Sequence, residues 1–364
     1  MDKRIAVGLD VHARTVAGCA IDRDTGEVFE KTMDSSSGQV MGWLSSLPGT
    51  VAVAYEAGPT GFWMARDLVA AGFECQVVAP SMLLRPAGKK VKTDRNDARH
   101  LAGLVAAGQV CAVRIPTQEQ EAARDVSRAR EDARRDLTAA KQRASKLLLR
   151  YGHVWEKTAW SKEYFAWAAR VRLPDFNARM ALDNDLMVVM QAADRRDRLD
   201  AVIHDMIPGS VWEPVVTGLG CLRGMGDTTA FGLAVEIGEW TRFTPASFAS
   251  FVGLVPGENS SGESHRHTAI TKTGNRHART LLIESAWHHR SRYVPTSSPV
   301  LQRRWAKAGQ LLAARGDHAN RRLHHQWAGF DKRGKHDCVA NTAVARELAG
   351  FCCALAQMAV AMSA

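Results

Sequence analysis

Four carboxylates stand where phosphoryl-transfer chemistry would need them. Asp10 closes the run Val7-Gly8-Leu9-Asp10, and Glu56 closes Val53-Ala54-Tyr55-Glu56. Both runs are short and apolar, so each reads as a strand with its carboxylate at the C-terminal end. Asp94 and Asp97, in Lys92-Thr93-Asp94-Arg95-Asn96-Asp97, open a helix and share one of its faces. Four carboxylates converging at one sheet edge would repel each other unless a divalent cation neutralised them. Two Mg²⁺ ions bridging a scissile phosphate are the use such a set has. Taken singly, Asp94 also reads as a helix N-cap and Asp10 as a strand-end turn residue. The order of all four along the chain favours catalysis.

A second constellation is the loop Gly253-Leu254-Val255-Pro256-Gly257-Glu258-Asn259-Ser260-Ser261-Gly262, followed by Thr271-Lys272-Thr273-Gly274-Asn275-Arg276-His277-Ala278-Arg279. A serine in a glycine-bounded loop, ahead of a basic Gly-Asn-Arg helix start, has the make-up of a hydroxyl beside phosphate-clamping groups. Lys272, Asn275, Arg276 and Arg279 are the candidate clamps. A Ser/Gly-rich surface loop is the plainer alternative. Nine of the thirteen histidines lie between His265 and His336, interleaved with arginines. No His pair joins a cysteine at zinc spacing, so this region reads as basic surface and not as a metal site.

The elements that must position these groups follow an α/β order. Arg4–Asp10, Thr15–Ile21 and Glu27–Met33 read as three strands joined by short loops, hence antiparallel. Helix and strand then alternate: Gln39–Ser46, Thr50–Tyr55, Thr60–Ala71, Glu74–Ala79, and a helix near Asp94 after a basic loop. Three hairpin-linked strands followed by crossover units is the order of a ribonuclease H-like fold. Residues 117–151 contain no proline or glycine and predict a long basic helix. Its arginines, Arg128, Arg134 and Arg135 among them, lie either along phosphates or on a coiled-coil face. Residues 152–208 continue as a weaker helical pattern. The segment Leu219–Ala230, with Gly224-Met225-Gly226, predicts a helix-hairpin-helix-like turn offering backbone N–H groups to a phosphate, or else an ordinary glycine turn. The expected divisions are 1–116, 117–208 and 209–364.

Composition bounds the partners. The 364 residues carry 48 Lys+Arg against 38 Asp+Glu, a net charge of +10, so a polyanion is the expected partner. At 46% hydrophobic and 24% charged, the chain is neither disordered nor fibrous. Seven cysteines without regular spacing, and no Cys-x-x-Cys, argue for a reducing, cytoplasmic compartment. The N-terminus does not read as a signal peptide, and the apolar segment from Phe351 to Ala364 is too short to span a bilayer. No membrane partner is expected.

The two constellations together resemble the DEDD transposases of bacterial insertion sequences, the insertion sequence 110 family, over nearly the whole chain. Carrying the resemblance are Gly8-Leu9-Asp10-Val11-His12, Tyr55-Glu56-Ala57-Gly58-Pro59-Thr60-Gly61, Lys92-Thr93-Asp94-Arg95-Asn96-Asp97-Ala98, the Gly224-Met225-Gly226 turn, and Phe251 to Leu282. The resemblance implies a RuvC-like N-terminal domain whose metal-binding set matches Asp10, Glu56, Asp94 and Asp97, with Mg²⁺ or Mn²⁺ as cofactor. It implies a mainly helical C-terminal domain with a serine nucleophile that bonds covalently to DNA. The serine directly before Gly262 is Ser261, and adjacent Ser260 is the alternative. It further implies a structured bridge RNA pairing with donor and target DNA, and a protein tetramer acting on both. Glu263, His265 and His267 depart from the glycine and basic residues common there. A RuvC-like junction nuclease using water is the competing reading, as are a phosphotransferase, whose Gly-rich phosphate turn Val11-His12-Ala13-Arg14 lacks, and a non-catalytic nucleic-acid scaffold.

Overall fold

Small and branched apolar residues fill β1 (Ile5–Val11) and β2 (Thr15–Asp22), and the more polar, largely exposed β3 (Val28–Asp34) completes an antiparallel series β1-β2-β3. The computed structural model describes residues 5–80, 93–259 and 267–363. It divides into two units, Met1–Thr117 and Gln118–Ala364. In the first unit, α1 (Ser37–Ser45) leads to β4 (Val51–Glu56), which lies parallel to β1. Next, α2 (Trp63–Ala70) leads to β5 (Glu74–Val78), parallel to β4. After α3 (Asp94–Ala106), the two-residue β6 (Ala112–Val113) adds antiparallel to β5, a strand the sequence pattern does not announce. The sheet order is β3-β2-β1-β4-β5-β6.

The two faces of this sheet differ in side-chain size. On one, Ile5, Val7, Leu9, Val53 and Tyr55 pack against Trp43 and Leu44 of α1 and Met64 and Leu68 of α2. On the other, Ala6, Ala17, Cys19 and Ala54 are small, and α3 lies against them through Ala98, Leu101, Ala102 and Val105. Alternation therefore puts Gly8 and Asp10 of β1, and Ala54 and Glu56 of β4, on the α3 face.

In the second unit the long basic helix is α4 (Gln118–Arg150), which packs along α6 (Phe176–Met206). Between them, α5 (Lys162–Arg170) buries Tyr164 among Trp155, Trp160 and Trp167, so the weak pattern at 152–208 resolves into two helices and an aromatic cluster. Then follow α7 (Glu213–Leu219), α8 (Asp227–Ile237), α9 (Pro245–Phe251), the hairpin β7 (Pro256–Glu258) and β8 (His267–Ile270), and α10 (Arg276–Ala286). Last come α11 (Pro299–Ala308), α12 (Gln310–Lys332) and α13 (Asp337–Ser363). The apolar C-terminal run is longer than expected: α13 has 27 residues and is long and apolar enough to cross a bilayer by length and composition. Its buried side chains, among them Val344, Leu348, Cys352 and Leu355, belong to the core shared with α7, α9, α10 and α12.

Two buried ionisable groups make this unit sensitive to acid. Burial pushes the Glu236 carboxyl up, but bonds from His277, Arg128 and Asn275 outweigh it and hold the pKa at about 2. Burial, with the charges of Arg223 and His288, pushes the fully buried His289 down to about 3. A histidine depressed in the fold is neutral there but takes up a proton on unfolding, so stability falls as pH drops from about 6.5 towards 3. Glu236 acts only below about 4.5, the carboxylate's ordinary range. Between pH 7.5 and 5, His289 is thus expected to cost about 2 kcal/mol. Urea midpoints at the two pH values should show that loss in the wild type and a smaller one in His289→Leu; equal losses would clear His289.

Candidate active site

Asp10 and Asp94 come together where β1 and α3 meet, with Asp97 beside them and Glu56 at the end of the neighbouring strand. Leu9 is the register partner of Tyr55 in the parallel pair, so Asp10 and Glu56, one residue further along each strand, leave the sheet side by side. Thr93 caps α3, its hydroxyl accepting from the Asn96 backbone N–H, so the capping role the sequence allowed Asp94 falls to its neighbour. Asp94 and Asp97 lie in the first turn, where the helix dipole favours negative charge. Asp10, His12 and Asp94 each bring a ligand atom within 4.8 Å of the others. Burial raises the Asp10 carboxyl pKa above its ordinary value; His12 opposes this, and Asp94 and Asp97 add to it. Such crowding of acidic oxygens is the donor set a hard divalent cation takes, so the residues present fit a metal.

His12 is the member the sequence reading missed. Its Nε2 lies 3.2 Å from Asp10 Oδ2 and 3.5 Å from Asp94 Oδ1. A signal existed, since His12 directly follows β1 and stands two residues from Asp10, the spacing at which an extended chain returns to the same face.

Gly8 sets how closely α3 approaches. A Cβ there would lie 2.3 Å from the Ala98 carbonyl oxygen and 2.5 Å from the Ala102 nitrogen, both backbone atoms that cannot swing aside. Gly8→Ala is therefore expected to displace α3, cost about 1–3 kcal/mol and disperse the acidic set. Gly103, on the same helix, has open space where a methyl group would sit, with nothing within 4 Å. Gly103→Ala should instead stabilise by up to about 1 kcal/mol through helix propensity. Thermal melts of the pair check this; equal melting points would mean that α3 does not depend on the glycine.

In the second unit, Ser260 and Ser261 lie outside the described residues, but the segments on either side are defined. Pro256 pairs with Ile270 and Glu258 with His267 across the hairpin. Gly274 adopts φ +69°, and a Cβ there would lie 1.8 Å from the Phe251 carbonyl oxygen. Arg279 ties the two chain segments by donating to the carbonyls of Val252 (2.9 Å) and Thr273 (2.8 Å). Asn275 caps α10, accepting from the Ala278 N–H at 2.9 Å, while its amide donates to Glu236 at 2.7 Å. Glu236 also receives Arg128, at 2.7 and 3.0 Å.

A sequence profile of DEDD transposases of the IS110 type matches residues 7–153, and one of the IS116/IS110/IS902 transposase family matches residues 219–302. The protein y4qE of Sinorhizobium fredii, named as a transposase, is 36% identical over 84% of this chain and 75% of its own. The chain belongs to the IS110 family of DEDD transposases. The transposase for insertion sequence element IS1533 of Leptospira borgpetersenii is 26% identical over 92% of this chain and 99% of that one. The transposase for IS1111A of Coxiella burnetii is 25% identical over 77% and 76%. The first profile spans Asp10, Glu56, Asp94 and Asp97 of this transposase, and the second spans Ser260, Ser261 and the start of α10.

The transposase uses many of its expected phosphate-binding side chains internally. Arg134 is bidentate on Glu131, with both bonds at 2.8 Å, and Arg135 reaches Glu131 at 3.1 Å. Arg128 serves Glu236, and Arg279 serves backbone carbonyls. Lys272 and Arg276 are exposed. An open hollow of about 410 Å³ nevertheless brings Arg128, Arg135, Asn275 and Arg276 together beside Glu131 and His277. At the Gly224-Met225-Gly226 turn, the first helical residue is Asp227, paired with Arg304 at 3.2 Å and His204 at 3.3 Å. The positive end of α8 already has an anion.

Proposed function

We propose that this transposase cuts and rejoins DNA strands through a covalent phosphoserine link made by Ser261, with Asp10, Glu56, Asp94 and Asp97 holding divalent metal. The observation that carries the reading is the convergence of Asp10, Asp94 and His12, with Asp97 close enough to raise the Asp10 pKa. A sheet ordered β3-β2-β1-β4-β5 with its carboxylates at the β1 and β4 ends supports a RuvC-like first unit. Divalent cations, when bound, would polarise the phosphate and offset its developing charge. Ser261 Oγ forms a bond to phosphorus as the bond to one sugar oxygen breaks, and that oxygen departs as a hydroxyl carrying the proton. The phosphodiester energy is kept in the Ser–O–P link, so rejoining needs no nucleotide cofactor. Neither unit is competent alone on this reading, in which 1–116, 117–208 and 209–364 are the functional parts.

Guidance by a structured bridge RNA, and assembly as a tetramer on donor and target DNA, complete the proposal. The exposed Lys272 and Arg276, and Arg143 and Lys146 on α4, are the basic groups it offers to these polyanions. The test uses labelled DNA carrying an element end, incubated with the protein, Mg²⁺ and the RNA encoded beside the gene. A protein–DNA adduct that requires both Mg²⁺ and RNA is expected. An adduct equally abundant without RNA would remove the guide from the mechanism, and one persisting in EDTA would remove the metal.

A further inference from the structure

The second unit holds a cavity of about 240 Å³ between the α7–α8 turn and the start of α11, which neither constellation uses. Val294 and Val300 form an apolar wall backed by the buried Leu222 and Leu301, and Arg223, His288 and Tyr293 face the same space. Arg223 sets its chemistry. Its guanidinium lies 5.5 Å over the Tyr293 ring and donates to the Ser291 carbonyl at 3.0 Å. The carboxylate beside Tyr293, Asp317, is already taken by the Tyr293 hydroxyl at 2.7 Å and by Arg321 at 2.9 Å. Among the described residues no carboxylate pairs with Arg223. Arg130 has Asp200, Arg134 has Glu131, and Arg304, in the same cavity, has Asp227; Arg279, which like Arg223 has no carboxylate, spends two bonds on the carbonyls of Val252 and Thr273. Burial also depresses the Arg223 pKa, and among the described residues the Ser291 carbonyl and the Tyr293 ring, not a carboxylate, face its charge.

A half-desolvated cation beside an apolar wall calls for a ligand that is anionic at one end and flat and apolar at the other. Nucleotides have that form. Unpaired bases stack on arginine planes and imidazole rings, whereas a base pair within a duplex keeps its faces covered. We propose that the cavity takes one unpaired nucleotide of a single strand, its phosphate neutralising Arg223 and its base against Val294, Val300 and His288. This rests on the reading of the protein as one that handles nucleic acid.

The test measures binding of the full chain to labelled oligothymidylate, oligouridylate and a mixed-sequence duplex. Arg223→Gln removes the charge and keeps the shape; Val300→Trp keeps the charge and fills the cavity from a half-exposed position. Each variant is expected to weaken single-strand binding roughly tenfold, as loss of one stacked base does, and to hold duplex affinity within about twofold. A loss confined to oligouridylate assigns the nucleotide to RNA, and one confined to oligothymidylate assigns it to DNA. Unchanged single-strand affinity in Val300→Trp, with a melting point like the wild type, overturns the cavity. Equal weakening on single strand and duplex overturns it too, in favour of diffuse charge. If the wild type binds no nucleic acid at all, the broader reading fails with it.

Discussion

Asp10→Asn is expected to abolish DNA strand cleavage, by roughly a thousandfold or more, while leaving the fold intact. The magnitude follows from removing one anionic group from a site built to hold charge at the moment of phosphoryl transfer. The fold should survive because asparagine has nearly the same shape and β1 is fixed by its neighbours on both sides, β2 and β4. Burial and the nearby Asp94 and Asp97 already disfavour an ionised Asp10, so a neutral amide relieves repulsion when no metal is present. Two measurements separate a metal-holding role from a structural one. Melting of the wild type should rise with added Mg²⁺, and melting of Asp10→Asn should not. Cleavage persisting in Asp10→Asn at saturating Mg²⁺ would remove Asp10 from the site, whatever the melts show.

The acidic set was legible because each member stands at a boundary that residue pattern reveals. Asp10 and Glu56 end apolar runs, and Asp94 and Asp97 open a helix whose cap is the preceding threonine. The approach of Asp94 to Asp10 depends on Gly8 and on alanines facing α3, which the sequence displays without saying what they admit. Glu236 was hidden for a different reason. It lies in the apolar helix α8, and its partners Arg128 and Asn275 are 108 and 39 residues away. No local spacing links them. The same gap explains the basic helix: along α4, an arginine bonded to a buried carboxylate and one facing solvent have the same neighbours in sequence. Only the fold distinguishes Arg128 and Arg134, which are held, from Arg143 and Lys146, which are exposed. The two-residue β6 is too short to leave any alternation, and α13 was underestimated because polar residues break its apolar run before Phe351.

Ser261→Ala should eliminate both the covalent adduct and recombination, and it separates a recombinase from a nuclease more sharply than any carboxylate variant can. A recombinase needs the serine oxygen to become bonded to phosphorus; a nuclease needs only water and the acidic set. A serine hydroxyl is a weak nucleophile at neutral pH, so its removal tests whether the site is arranged to use it. Folding should be unaffected. The flanking strands are held by the Pro256–Ile270 and Glu258–His267 pairs and by the two carbonyl bonds of Arg279, none of which a serine side chain supplies, and a change of this kind typically stays within about 0.5 kcal/mol. Binding to DNA and RNA should likewise persist, since the basic groups are untouched. Ser260→Ala is the control, expected to retain the adduct. Denaturing electrophoresis of end-labelled DNA with wild type and both variants decides among the outcomes. An adduct lost in Ser260→Ala but kept in Ser261→Ala moves the nucleophile one residue back. Strand cleavage with no adduct in the wild type, and unchanged in both variants, would leave the acidic set acting with water, as a metal-dependent nuclease does.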